Sequence, residues 1–332
     1  DGSLIPTAPA QSGTPGAPGT AQTGSIPGAP AIQAAPGASR DAALRQSPRV
    51  PVNGPRLGGS IALKGGRIDD LTMLDYKATI DEGSPAVTLF SPQGAPQPYF
   101  GQFGWVPIGE LKVPDSDTVW QADHPSVQPA RPLTLSWDNG QGVRFIQVVE
   151  IDDNFMMTVT QRVENNSTQA ISTHPYGRIA RTHTPNTLGF YILHEGPLAV
   201  FNETLKEVDY DDLQEGPADA TKSTGGWIGI TDKYWLAALI PDQKQPYTGT
   251  FRYSKPNKQD TYQADFMTQA PQLIAPGATA QTVSHVFVGA KEVTLLDRYE
   301  EQLGIARFDL AVDFGWFYFL TKPIFHMLHW FS

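Results

Sequence analysis

The sequence contains no cysteine. Disulfides, thiol nucleophiles and cysteine-ligated zinc are therefore excluded, while the redox compartment stays open because a chain this long needs no staples. Positive charge is in short supply too: 24 Lys and Arg face 34 Asp and Glu, a net charge of −10. No Lys/Arg cluster offers phosphates a footprint, which argues against nucleic acid as a partner. An anionic membrane surface would not attract the chain by charge either, so any membrane contact must come from apolar residues. Aromatics are missing from the start, the first being Tyr76. Helical periodicity is missing between about residues 60 and 289. The first residue is Asp and no signal peptide follows it, so the chain is expected to be a segment of a longer protein.

Residues 1–57 hold 18 Gly or Pro among many Ala, Ser, Thr and Gln. Such a composition cannot bury enough surface to offset its ordering entropy, and a disordered tether is expected. A Pro-rich docking peptide is the rival reading, but no PxxP with flanking basic residues supports it. From 58 to 289 the texture changes to short β-branched and aromatic runs separated by Gly, Pro, Asn and Asp. In SIALKGGRIDDLTML, Gly65 and Gly66 read as a hairpin turn. In FMMTVTQRV, Phe155, Met157, Val159 and Val163 share one face while Thr158, Thr160 and Arg162 take the other, the alternation of a half-buried strand. Around a dozen such strands without helical spacers predict an all-β protein, a large twisted antiparallel β-sandwich followed by C-terminal helices.

Residues 290–306 contain the first convincing helix, AKEVTLLDRYEEQLGI, whose Val293, Leu296, Tyr299 and Leu303 recur at helical spacing. That stripe is expected to pack on the sandwich as a linker helix. Residues 307–332 then end in the densest aromatic run of the chain, LAVDFGWFYFLTKPIFHMLHWFS from Leu310. On a wheel of about 100° per residue, Gly315, Tyr318, Lys322, His326 and His329 fall in an arc of roughly 80°. Phe314, Trp316, Phe317, Phe319, Leu320, Ile324, Phe325, Met327, Leu328, Trp330 and Phe331 cover the rest. A narrow polar strip on a wide apolar body predicts an amphipathic helix lying in a membrane interface. Asp313, Lys322 and two His argue against a transmembrane span, and Pro323 predicts a bend. A buried core helix is the rival reading.

GGWIGITDKYWLAALIP from Gly225, the helix after Glu292 and the aromatic tail together resemble the large periplasmic domain of the bacterial YidC membrane-protein insertase family, supported by GGRIDDL at Gly65 and YILHEGPLAVFNETLKEVDYDDL at Tyr191. The resemblance implies a β-supersandwich similar to the galactose mutarotase fold, in the periplasm, tethered to the bacterial inner membrane at both ends. It further implies that Val312 to Trp330 forms a helix on the membrane surface and that the insertase groove lies outside this chain. Implied partners are the inner-membrane lipid surface, nascent membrane proteins and the Sec translocon with its SecDF accessory subunits. The stretch from Ala170 to Leu213 resembles the region of that contact, with Tyr191, His194, Phe201 and Tyr210 as candidate contact residues. The isolated domain is expected to be monomeric.

Other chemistries compete with this non-enzymatic reading. A carbohydrate-binding or aldose-epimerase-like domain would need a His acid and a Glu base; His174, His183 and His194 with Glu150, Glu164 or Glu195 supply the types without a motif that joins them. His326 and His329 form an HxxH without a further ligand, and Asp209, Asp211, Asp212 and Glu215 lack the spacing of a calcium loop, so no metal and no cofactor are expected. Trp227 and Trp235 flank a short turn and are candidates for lining a cleft, against the plainer reading as core. A holdase that shields emerging clients with exposed apolar surface is a third reading.

Overall fold

The computed structural model describes residues 26–29, 39–187, 193–216 and 218–313. Phe314 to Phe331, the expected interface helix, and Tyr191 lie outside the described residues.

Two antiparallel sheets form the body. The ten-stranded sheet runs through Arg49–Asn53, Leu57–Ala62, Arg67–Lys77, Tyr99–Ile108, Ile171–Thr182, Thr261–Thr268, Pro246–Ser254 and Thr221–Thr224, with Ala86–Phe90 and Gln272–Ile274 as side strands. The nine-stranded sheet runs through Thr204–Glu207, Gly196–Phe201, Gly226–Thr231, Trp235–Ile240, Thr279–Ala290, Met156–Asn165, Val143–Ile151, Leu133–Asp138 and Gln121–Ala122. The sequence explains the pairing. In Met156–Asn165 buried and half-buried residues alternate, and its neighbour Thr279–Ala290 lies in register with it from Thr279 opposite Glu164 to Phe287 opposite Met156. Gly65 and Gly66 take left-handed φ values of +77° and +58° at the turn between Leu57–Ala62 and Arg67–Lys77, as their lack of Cβ allows.

Between the sheets lies one continuous core that includes Trp105, Phe145, Phe155, Ile179, Phe251 and Phe266. The outer face of the ten-stranded sheet differs in character. Direct cross-strand partners share a face, and Arg67, Gln102, Arg178, Asp265 and Thr250 stand opposite one another across five strands. Gln102, Arg178 and Asp265 are buried.

Three expected boundaries move. The tether ends well before residue 57: Arg49–Asn53 is a sheet strand, with Val50 and Val52 buried and Arg49 hydrogen-bonded to Ser60 (2.7 Å) and ion-paired with buried Asp69. A five-residue strand containing Pro51 carries too little alternation to stand out from a Pro-rich run. Ahead of it Arg40–Leu44 is a short helix whose N-cap Ser39 accepts a hydrogen bond from Ala42 N–H. At the other end Phe308–Ala311 is a 3₁₀ turn with Phe308 and Ala311 buried, so the body extends past residue 307. The linker helix, Val293–Leu303, buries Leu295, Leu296 and Tyr299, while Val293 is half-buried and Leu303 is 38% exposed. Leu303 was expected to pack; instead the helix stops at Gly304 in the left-handed region, the chain turns inward, and Ile305 takes the buried place.

Candidate functional site

The site built most deliberately by the described residues is the mount of the linker helix. Its floor is the apolar Gly226–Thr231 and Trp235–Ile240 hairpin with the adjoining strand Thr279–Ala290, which is buried over its last residues from Val286 to Ala290. The helix leaves the end of that last strand directly, so its start is fixed by sheet hydrogen bonds.

Glu292 stands at the N-cap position but makes no side-chain cap. Its carboxylate instead accepts hydrogen bonds from Arg56 and from Tyr76 Oη at 2.6 Å. Arg56 reaches Asp75 and Asn154 Oδ1 (3.2 Å) as well, and its guanidinium lies 4.3 Å from the centre of the Phe155 ring. Burial alone would raise the pKa of Glu292; donation from Arg56 and Tyr76 outweighs it and holds the carboxyl below its usual value of 4.5. Burial and the bond to Glu292 push the Tyr76 phenol up to about 12.

Along the helix, Tyr299 Oη donates to Asp152 and accepts from Phe155 N–H at 3.4 Å. Past Gly304, Gln243 ties exit to floor: its Oε1 accepts from Gly226 N–H (2.9 Å) and Ala306 N–H (3.2 Å), and its Nε2 donates to Pro241 O (2.8 Å) and Gly226 O (2.9 Å). Phe308 then packs edge-to-face on Trp227 (centroids 5.6 Å apart) and on Phe287 (5.5 Å). Trp227 Nε1 donates to Arg307 O at 3.2 Å. Lys291, at the start of the mount, donates to Thr231 Oγ1 at 2.9 Å, and burial pulls its pKa down to about 8.

Glu292→Gln is expected to cost about 1–2 kcal/mol at neutral pH, a charge-assisted bond moderated by partial exposure. Because the folded pKa lies below the unfolded one, that contribution is present above about pH 4.5 and is lost as pH falls through the folded value. Urea unfolding of wild type and variant should therefore differ at pH 7 and converge as the pH falls through the depressed value of the folded carboxyl.

Several candidates are placed elsewhere. Trp227 is fully buried beneath Phe308, as the core reading has it, and Trp235 is half-buried against Tyr76 and Tyr234. Phe201 and Tyr210, candidates for partner contact, are also buried: Phe201 packs on Tyr247 and Phe251, and Tyr210 on Tyr262. Apolar rings on this edge serve the core, and the exposed groups there are Asp209, Asp211, Asp212 and Glu215. His194 is half-buried, its Nε2 3.1 Å from Pro197 O. The epimerase residues do not assemble in one cleft. His174 bonds Thr268 O on the ten-stranded sheet, whereas Glu150 and Glu164 sit on the nine-stranded sheet and Glu195 accepts from Lys233 N–H. Among the described residues no group of three His, Asp or Glu is arranged to hold a metal ion, and no helix is long and apolar enough to cross a membrane. Arg56, Gln243 and Phe308 carry the mount without any sequence motif that marks them.

A family model described as the YidC periplasmic domain matches residues 49–327. The protein named membrane protein insertase YidC of Methylobacterium radiotolerans is 44% identical over 98% of this chain and 53% of its own length. The protein of that name from Rickettsia bellii is 41% identical over 86% of this chain and 51% of its own. The chain thus spans about half the length of the curated relatives it matches. Among solved structures, a galactose mutarotase related enzyme of Lactobacillus acidophilus is similar with a TM-score of 0.49 at 8% identity, covering 73% of this chain and 97% of that one.

Proposed function

The chain belongs to the YidC periplasmic-domain family, and from that premise we propose that it is the scaffold and partner-docking module of a membrane protein insertase of the bacterial inner membrane. The carrying observation is the mount. The linker helix is bonded to the sandwich through Glu292, clamped along its length by Tyr299 and locked past its end by Gln243 and Phe308. Such a mount fixes the direction in which the chain leaves the body at Asp313, where the amphipathic stretch begins. On this reading Phe314 to Phe331 rests in the lipid headgroups on the periplasmic side, and the mount sets its height and angle beside the membrane-embedded part of the protein. On this reading the groove that inserts nascent membrane proteins lies outside this chain, and the sandwich acts by positioning. The stretch from Ala170 to Leu213, whose exposed groups include Asp209, Asp211 and Asp212, is the region offered to the Sec translocon and its SecDF subunits. The isolated domain is monomeric, with its apolar contacts reserved for lipid.

Replacing Phe317, Leu320 and Leu328 together by Glu in the full-length protein, in cells depleted of their own insertase, tests this reading. Growth and insertion should fail while the protein still accumulates. Wild-type growth and insertion would overturn it.

A further inference from the structure

Residues 26–29 lie on the outer face of the ten-stranded sheet, far from the main core in sequence and separate from it in packing. Ile26 is 1% exposed and packs with Val106 and Tyr176, while Ala29 and Met267 close around them. The four residues form a tight turn, with Ala29 N–H donating to Ile26 O at 3.0 Å. Gly28 has φ +80°, and a Cβ there would stand 2.8 Å from a Val106 methyl, so a glycine is needed both for the turn and for the close approach.

The surface beneath is larger than its occupant. Ile108, Ser172 and Leu273 stand opposite one another two residues further along the same face, and Ile108 (49%) and Leu273 (75%) are exposed. A pocket that takes one apolar side chain and lets a glycine approach closely, with further apolar surface beside it, is what a short peptide turn needs.

We propose that this face is a binding site for a peptide turn carrying an apolar residue followed by Pro-Gly, and that the chain's own Ile26-Pro27-Gly28-Ala29 is its resident occupant. The contact is small enough for the segment to exchange with an incoming chain of the same chemistry, so the N-terminal stretch acts as a built-in competitor.

The absence of cysteine makes the test clean. Met267→Cys gives a single thiol under the segment, and its rate of modification by a maleimide reports cover. In the full chain, adding Ile26→Asp, or separately Gly28→Val, should raise that rate about tenfold or more, the population shift expected from losing one buried isoleucine. A synthetic peptide of residues 21–33 at several millimolar, the effective concentration of a tethered segment, should slow it again in the Ile26→Asp variant. Two variants guard against one that misfolds, and thermal unfolding of each identifies it. No acceleration in either folded variant would overturn the seat; acceleration without protection by peptide would overturn the binding site. In the chain that keeps Ile26 and Gly28, cover of the Met267→Cys thiol that vanishes when the protein is diluted would overturn the assignment to the chain's own segment.

Discussion

Phe308→Ala is expected to lower the unfolding free energy of the domain by about 3–5 kcal/mol, the usual cost of emptying a fully buried aromatic site. Phe308 is fully buried, and its ring meets both Trp227 and Phe287 edge-to-face, so the cavity would open at the junction of floor and exit. Little can collapse into it: Trp227 is held by its bond to Arg307 O, and Phe287 is fixed between Phe155 and Tyr299. Urea denaturation read by tryptophan fluorescence measures the loss directly, because Trp227 is one of the walls. Local exchange should respond more sharply than global stability. Amides after Gly304 should lose protection first, since Phe308 is their main apolar anchor.

Asp265→Ala should cost a similar amount, about 3–5 kcal/mol, for an electrostatic reason. Asp265 is 1% exposed, accepts from Arg252 Nε at 2.8 Å and Gln263 Nε2 at 2.7 Å, and faces Arg178 across the strands. Burial raises its pKa while Arg252 and the neighbouring donors pull it down, so the carboxylate depends on its partners. Removing it leaves the Arg252 guanidinium and the Gln263 amide without the acceptor they share. Asp265→Asn keeps the shape and one acceptor and should cost less; thermal melts of the two variants side by side separate charge from packing.

Much of this architecture could be read from the chain. The alternation in FMMTVTQRV, the Gly65-Gly66 turn and the helical spacing after Val293 each reflect a local rule, and local rules survive in sequence. What could not be read arises from distant partners. Arg178, Gln102 and Asp265 are ordinary polar residues until three strands bring them together and bury them. Arg56 finds Glu292 across 236 positions. The resemblance offers Phe201 and Tyr210 as contact rings, yet the fold turns both inward. Leu303 continued a stripe that the bend at Gly304 ends, and Val50 and Val52 were hidden by Pro51 in a run otherwise poor in apolar residues. The aromatic tail was the loudest signal of all, and its function is legible only from its amphipathic pattern, since it lies outside the described residues.

The central claim is that the sandwich exists to aim that tail, through the mount, at the membrane surface. Its most direct test is the depth of a nitroxide placed at position 317 of the full-length protein in lipid bilayers, with and without Phe308→Ala. The account predicts a label at headgroup depth with a narrow distribution that broadens or shifts when Phe308 is removed. The same depth and width in both proteins, or a label facing bulk water in the first, would contradict it.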